Sequence, residues 1–261
     1  MDAGVGPGGP PAPDPGAIAS FAAARTRVLE TMAAACRRAG RDPTTVRLVA
    51  VTKTVPADRI RAAVAAGLTV LGENRVQEAE AKMPLVSGAT WHLVGPLQSN
   101  KARPAVETFD VIESVDSVAL AGRLDRIVRD VRGLKAVGPV PDAGRLAVLL
   151  QANVDDDPAK AGFERDELAA ALGSLLDLGA LRIDGLMTVG RLVDDREAAR
   201  PTFRRLRELA IELRAAEPRL GPELSMGMTD DYPVAIEEGA TIVRVGRALF
   251  GERPTADAGP P

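Results

Sequence analysis

Eight short apolar or β-branched runs, separated by turn residues and by stretches of helical period, constrain this chain more than any other feature. They cover residues 47–52, 68–71, 90–94, 111–115, 145–152, 181–187, 222–226 and 241–245, and each reads as a strand. The stretches 56–66, 117–131, 165–176, 195–216 and 230–238 read as helices, with Phe203, Leu206, Leu209 and Leu213 giving the clearest apolar stripe. Strands alternating with helices pair in parallel through right-handed crossovers. Eight such units in about 200 residues predict a closed α/β barrel, the TIM-type (β/α)8 architecture. The rival, a doubly wound open sheet, lacks a GxGxxG opening a helix after the first strand. An additional N-terminal helix is expected over 17–39, where Ile18, Phe21, Val28, Leu29, Met32 and Cys36 share a face and Gly40 stops it.

Residues 1–16 hold five Gly and five Pro with almost nothing to bury, so a disordered tail is expected there. A single barrel domain should then occupy 17–253, with a loop insertion at 133–145 and a second loose end at 254–261. The 33 basic and 36 acidic residues give a net charge of −3 without a sustained basic stripe, which argues against nucleic acid as a partner. No apolar run approaches the roughly 18 residues of a membrane span. The first sixteen residues contain no Lys or Arg to open a secretory leader, so a cytoplasmic address without membrane association is expected. Cys36, the only cysteine, cannot form an intramolecular disulfide and reads as a small core residue.

In a barrel of this kind the chemistry sits where the strands end. Lys53 follows the first strand. The chain uses 28 Arg against five Lys, so a retained lysine suggests amine chemistry: an amine can lose its proton and attack an aldehyde, whereas a guanidinium cannot. A plain surface lysine is the alternative. Two later segments suit a phosphate. Leu224-Ser225-Met226-Gly227-Met228-Thr229-Asp230-Asp231 joins a strand to a helix with hydroxyls and a glycine, although Thr229 or Asp230 can equally serve as a helix cap. Thr241-Ile242-Val243-Arg244-Val245-Gly246 ends the last strand, and an arginine inside a strand is costly unless it meets an anion, a ring nitrogen or a carboxylate. His92, the only histidine, reads as a base, a ligand or a hydrogen-bonded barrel residue, and with one histidine and one cysteine no transition-metal cluster is expected. Asp155-Asp156-Asp157 reads as a solvated turn.

A lysine after the first strand and an anion cradle after the last two suit pyridoxal 5′-phosphate. The segments around Lys53, Gly72-Glu73-Asn74-Arg75-Val76-Gln77-Glu78, Trp91-His92-Leu93-Val94-Gly95-Pro96-Leu97-Gln98-Ser99-Asn100-Lys101, Gly185-Leu186-Met187-Thr188, Leu224-Ser225-Met226-Gly227-Met228 and Val243-Arg244-Val245-Gly246 resemble the pyridoxal phosphate homeostasis protein family. The likeness runs from about residue 46 to 253 and includes Lys160 and Gly162. It implies a fold-type III barrel like the N-terminal domain of alanine racemase, with Lys53 holding the cofactor as a Schiff base. It also implies Asn74 beside the ring, Arg244 near the ring nitrogen and the phosphate around Ser225, Gly227 and Gly246. His92, Gln98, Asn100 and Lys101 would shape the third loop. Where the family commonly has a small hydroxyl residue after Gly246, this chain has Arg247.

An arginine keeps its proton, so a ring nitrogen facing it stays unprotonated and the cofactor is a poor electron sink. The alanine racemases also use a tyrosine from a further domain as a second base. Here the strand-and-helix pattern ends before 254–261 and the only tyrosine is Tyr232. The expected function is therefore non-catalytic cofactor binding and homeostasis, with no catalytic residue and no metal, in a monomer or weak dimer that passes cofactor to pyridoxal-dependent apo-enzymes. Alternatives are a racemase-like enzyme, an aldolase using Lys53 with Glu73, and an interaction module docking through 17–39.

Overall fold

The computed structural model describes residues 11–135, 142–190 and 195–252. Eight strands close in chain order into an all-parallel barrel, β1 pairing with both β2 and β8. They are β1 (Arg47–Val51), β2 (Val70–Glu73), β3 (Thr90–Leu93), β4 (Val111–Val115), β5 (Leu146–Gln151), β6 (Leu181–Met187), β7 (Glu223–Ser225) and β8 (Ile242–Val245). The described helices are α1 (Pro15–Arg38), α2 (Ala57–Ala65), α3 (Val76–Lys82), α4 (Ala102–Thr108), α5 (Val118–Val131), α6 (Arg165–Leu176), α7 (Arg200–Ala216), α8 (Tyr232–Glu237) and α9 (Arg247–Phe250). The barrel architecture is as expected, and none of the helices among the described residues is long and apolar enough to cross a membrane.

Two apolar clusters hold the fold. The large one lies between strands and helices and includes Leu71, Ile112, Leu150 and the stripe Phe203, Leu206, Leu209 and Leu213 of α7. A small separate cluster of Val49, Val94, Leu149, Met187 and Ile242 fills part of the barrel interior. α1 packs on α2, α8 and α9 through Phe21, Ala24, Val28, Met32 and Cys36, so Cys36 is a core residue with no exposed surface. Burial raises its thiol pKa, which disfavours the thiolate form.

Boundaries moved where side chains outside the local pattern decide them. α1 starts at Pro15 because the Asp14 carboxylate accepts from the Ala17 amide at 2.7 Å, inside the expected tail. The remainder of that tail to residue 10, the end 254–261 and 136–141 of the expected insertion lie outside the described residues. β2 lies at Val70–Glu73, two residues later than the apolar run: Gly72 belongs to the strand through its pairing with Val51 and His92, and a Cβ there would stand 2.8 Å from Val49 Cγ1. The expected helix 195–216 divides into a 3-10 turn, Arg196–Ala199, and α7, with Pro201 in its first turn where no amide is required.

Candidate functional site

A cavity of about 730 Å³ opens at the mouth formed by the strand C-termini. Its lining includes Lys53 after β1, Asn74 after β2, Gly95 after β3, Met228 and Thr229 after β7, and Arg244 and Gly246 of the β8 end. The volume is that of a small-molecule site. Lys53 faces this space from a backbone held on both sides by α3. The Lys82 ammonium donates to the Thr52 carbonyl at 2.9 Å, and the Thr54 amide donates to Glu78 Oε2 at 3.1 Å. Thr54 has φ 65°, a left-handed conformation that costs a threonine about 1–2 kcal/mol and needs such outside support. Lys82 also bonds Glu73 Oε1 at 2.6 Å, and the Thr52 hydroxyl donates to the same oxygen at 2.7 Å. Burial raises the Glu73 pKa against the pull of Lys82 and Thr52. Burial works against ionisation of Glu78 too, but the Thr54 amide and Lys82 outweigh it and its pKa is lowered.

The opposite wall is built on Arg244, which is 4% exposed. Its Nη1 donates to Ser225 Oγ at 2.6 Å and its Nη2 to the Thr188 carbonyl at 2.8 Å. Ser225 in turn donates to Glu113 Oε2 at 2.5 Å, and Glu113 Oε1 lies 2.6 Å from His92 Nδ1. Burial lowers the Arg244 pKa, opposed by the charges of Glu113 and Asp231. For Glu113, burial favours the protonated form, yet its bond to His92, the charges of His92 and Arg244 and the Ser225 hydroxyl prevail and hold its pKa below the usual range. Above Arg244, the Gly246 amide donates to Thr229 Oγ1 at 3.2 Å and the Met228 amide to Asp231 Oδ1 at 2.6 Å. Neither Thr229 nor Asp230 caps α8; Asp231 stands at that position. Arg247 lines the rim and is paired with Asp230.

Of the six site residues read from sequence, Lys53, Asn74, Arg244 and Gly246 line the one cavity. Ser225 and Gly227 stand outside its lining. The Ser225 hydroxyl is engaged by Glu113 and Arg244, while Gly227, with φ 91°, lets the turn pack on α8: a Cβ there would lie 2.5 Å from Ala235 Cβ. Three participants escaped the sequence reading. Lys82 had the signal of being one of five lysines, four residues after Glu78. Thr229 stood in the loop noted for its hydroxyls, with helix capping as the alternative, but was not singled out as a site residue, and Glu113 sat in a strand run with no outward sign of its role. The Asp155-Asp156-Asp157 turn needs correction: Asp155 is buried and accepts from Lys160 Nζ at 2.9 Å, Thr202 Oγ1 at 2.7 Å and Arg205 Nη1 at 3.1 Å. Among the described residues, no group of three or more His, Cys, Asp or Glu side chains is arranged to hold a metal ion.

The family model for the alanine racemase N-terminal domain matches residues 28–254. A protein of Pseudomonas aeruginosa named pyridoxal phosphate homeostasis protein is 43% identical over 222 residues, covering 84% of this chain and 90% of that one. Its namesake from Aquifex aeolicus is 39% identical over 236 residues, covering 87% and 96%. Among solved structures, PipY of Synechococcus elongatus with PLP bound is 42% identical, with a TM-score of 0.74 over 88% of this chain and 100% of that one. An alanine racemase of Clostridium difficile in complex with cycloserine, 13% identical with a TM-score of 0.62 over 88% of this chain and 60% of that one, shares the fold.

Proposed function

We propose that this chain, which belongs to the pyridoxal phosphate homeostasis protein family, holds pyridoxal 5′-phosphate reversibly and buffers its free pool without a catalytic cycle of its own. One observation carries the reading: a primary amine, Lys53, faces a buried guanidinium, Arg244, and the Thr229–Gly246 wall across a single cavity. That donor set fits the cofactor. When bound, pyridoxal phosphate supplies an aldehyde that condenses with a primary amine with loss of water, and Lys53 Nζ is the amine this cavity offers. Arg244, which keeps its proton, would face the ring nitrogen, and Asn74 would lie beside the ring. The phosphate would be received where Thr229 and Gly246 meet in the lining, by the Thr229 hydroxyl and by the Gly246 amide once it gives up Thr229 Oγ1, and Ser225 and Gly227 would support that wall from behind.

The placement of acids and bases supports a carrier. Glu73, the aldolase candidate, is turned toward Lys82 and Thr52 and is absent from the lining, and Tyr232 is buried in α8. Asp230 and Glu252, the carboxylates in the lining, are exposed, and Asp230 is paired with Arg247. One barrel domain over 17–253, acting in the cytoplasm as a monomer or weak dimer and delivering cofactor to apo-enzymes, completes the proposal.

Borohydride reduction of the loaded protein followed by peptide mass mapping tests it. The expected result is a single pyridoxyl label on Lys53, a yellow colour lost in Lys53→Ala, and no steady turnover of common amino acids. Colour retained by Lys53→Ala, or turnover abolished by that change, overturns the reading.

A further inference from the structure

A line of polar side chains crosses the barrel interior beneath the cavity. His92 of β3 is 2% exposed, Glu113 of β4 and Ser225 of β7 are fully buried, and Arg244 of β8 completes the line. Burying a carboxylate and a guanidinium costs several kcal/mol each before their attraction is counted, and apolar residues of similar size would fill the same space. The fold alone does not call for them.

The bonds have a definite sense. Ser225 has one hydroxyl proton; it accepts from Arg244 Nη1 and therefore donates to Glu113 Oε2. Glu113 Oε1 is left to accept from His92 Nδ1, and Nε2 is the ring nitrogen outside that bond. The far end of the line opens elsewhere. His92 lines a second cavity, of about 490 Å³, whose lining also includes Arg47, Thr90, Arg182, Asp184 and Glu223 around the N-terminal mouth of the barrel. Arg182 bonds Asp184 at 2.6 and 2.9 Å, and Arg47 lies 3.6 Å from Glu223, so the charges around that mouth pair off among β1, β6 and β7. Glu113, 2.6 Å away on β4, is left as the main charge acting on His92.

We propose that Glu113 is a positioning residue that seats Arg244 and balances its charge against the ring end of the cofactor, and that His92 adjusts this from the opposite mouth of the barrel. The proposal rests on the cofactor reading above and adds to it a connection between the two mouths. A proton gained at His92 Nε2 draws the Glu113 charge toward the imidazolium and away from Ser225 and Arg244. Arg244 then faces the ring with less of its charge offset.

The test uses the full-length, untagged protein loaded with pyridoxal phosphate. Its visible band is recorded on both sides of the ordinary histidine range, at roughly pH 5.5 and 8, for the wild type and His92→Gln, which keeps a donor for Glu113 but does not titrate. The wild-type band is expected to shift between the two pH values and the His92→Gln band to stay fixed. In Glu113→Gln the dissociation constant is expected to rise about tenfold or more, the scale of one lost hydrogen bond to a charged group. A wild-type band that does not move, a His92→Gln band that still moves, or unchanged affinity in Glu113→Gln overturns the proposal. If Glu113→Gln does not fold, the His92→Gln comparison decides alone. Labelling of Lys53 in the wild type is measured alongside: label present with these effects absent defeats this inference only, whereas label absent defeats the cofactor reading itself.

Discussion

Replacing Lys82 by methionine removes the cation that neutralises a fully buried carboxylate. The Lys82 side chain is 12% exposed and that of Glu73 is 0%, with 2.6 Å between their charged atoms. Breaking a buried pair by deleting one partner costs about 3–5 kcal/mol, because the remaining charge keeps its desolvation penalty. At about 2–4 °C per kcal/mol for a domain of this size, Lys82→Met should melt roughly 6–20 °C lower. The loss should depend on pH. Burial already raises the folded-state pKa of Glu73 above its unfolded value, so its ionisation weakens the fold as pH rises through that interval, and the penalty fades as pH falls below it. Without Lys82 the pKa rises further, so the deficit relative to wild type should be largest near pH 8 and smaller near pH 5. Adding Glu73→Gln removes the stranded charge and should restore most of the stability. Thermal and urea unfolding of the cofactor-free proteins at both pH values measure all three. A deficit that does not change with pH, or a double variant as unstable as Lys82→Met, refutes the reasoning.

Two further substitutions separate support of the site from support of the fold. Gly95→Ala would put a Cβ 2.3 Å from the Asn74 carbonyl oxygen and 2.7 Å from its Cα, both backbone atoms; a loss of about 1–3 kcal/mol and weaker pyridoxal phosphate binding are expected, read by melting and by titration of the visible band. Phe203→Ala empties a fully buried position on α7 and should cost about 3–5 kcal/mol, while leaving the spectrum of the loaded protein unchanged at low temperature.

The barrel was legible because its signals are local. The α7 stripe and the β-branched runs repeat at the periods their elements require, and Lys53 stands out against a background that otherwise favours arginine. The wall opposite Lys53 was legible in position but not in the direction of its side chains. Ser225 is the last residue of β7, and only the closed barrel turns its hydroxyl onto Glu113, 112 residues earlier. Glu113 lay inside an unbroken strand pattern, where a lone acid gives no sign of facing His92 and Arg244. Asp155 reads as the start of a charged turn until α7, about 50 residues later, brings Thr202 and Arg205 against it. Each miss is a contact between elements far apart in the chain, which periodicity does not encode.

Closure of β8 onto β1 has a consequence for the making of the protein. The amine arrives with residue 53, whereas the guanidinium and glycine opposite it arrive with residues 244 and 246. A ribosome-bound chain thus carries one half of the binding surface through most of its synthesis, and the two halves meet only when the final strand emerges and docks on the first. On the proposed reading, a product truncated before β8 would keep Lys53 and Asn74 but lack Arg244 and Gly246, and should not retain pyridoxal phosphate.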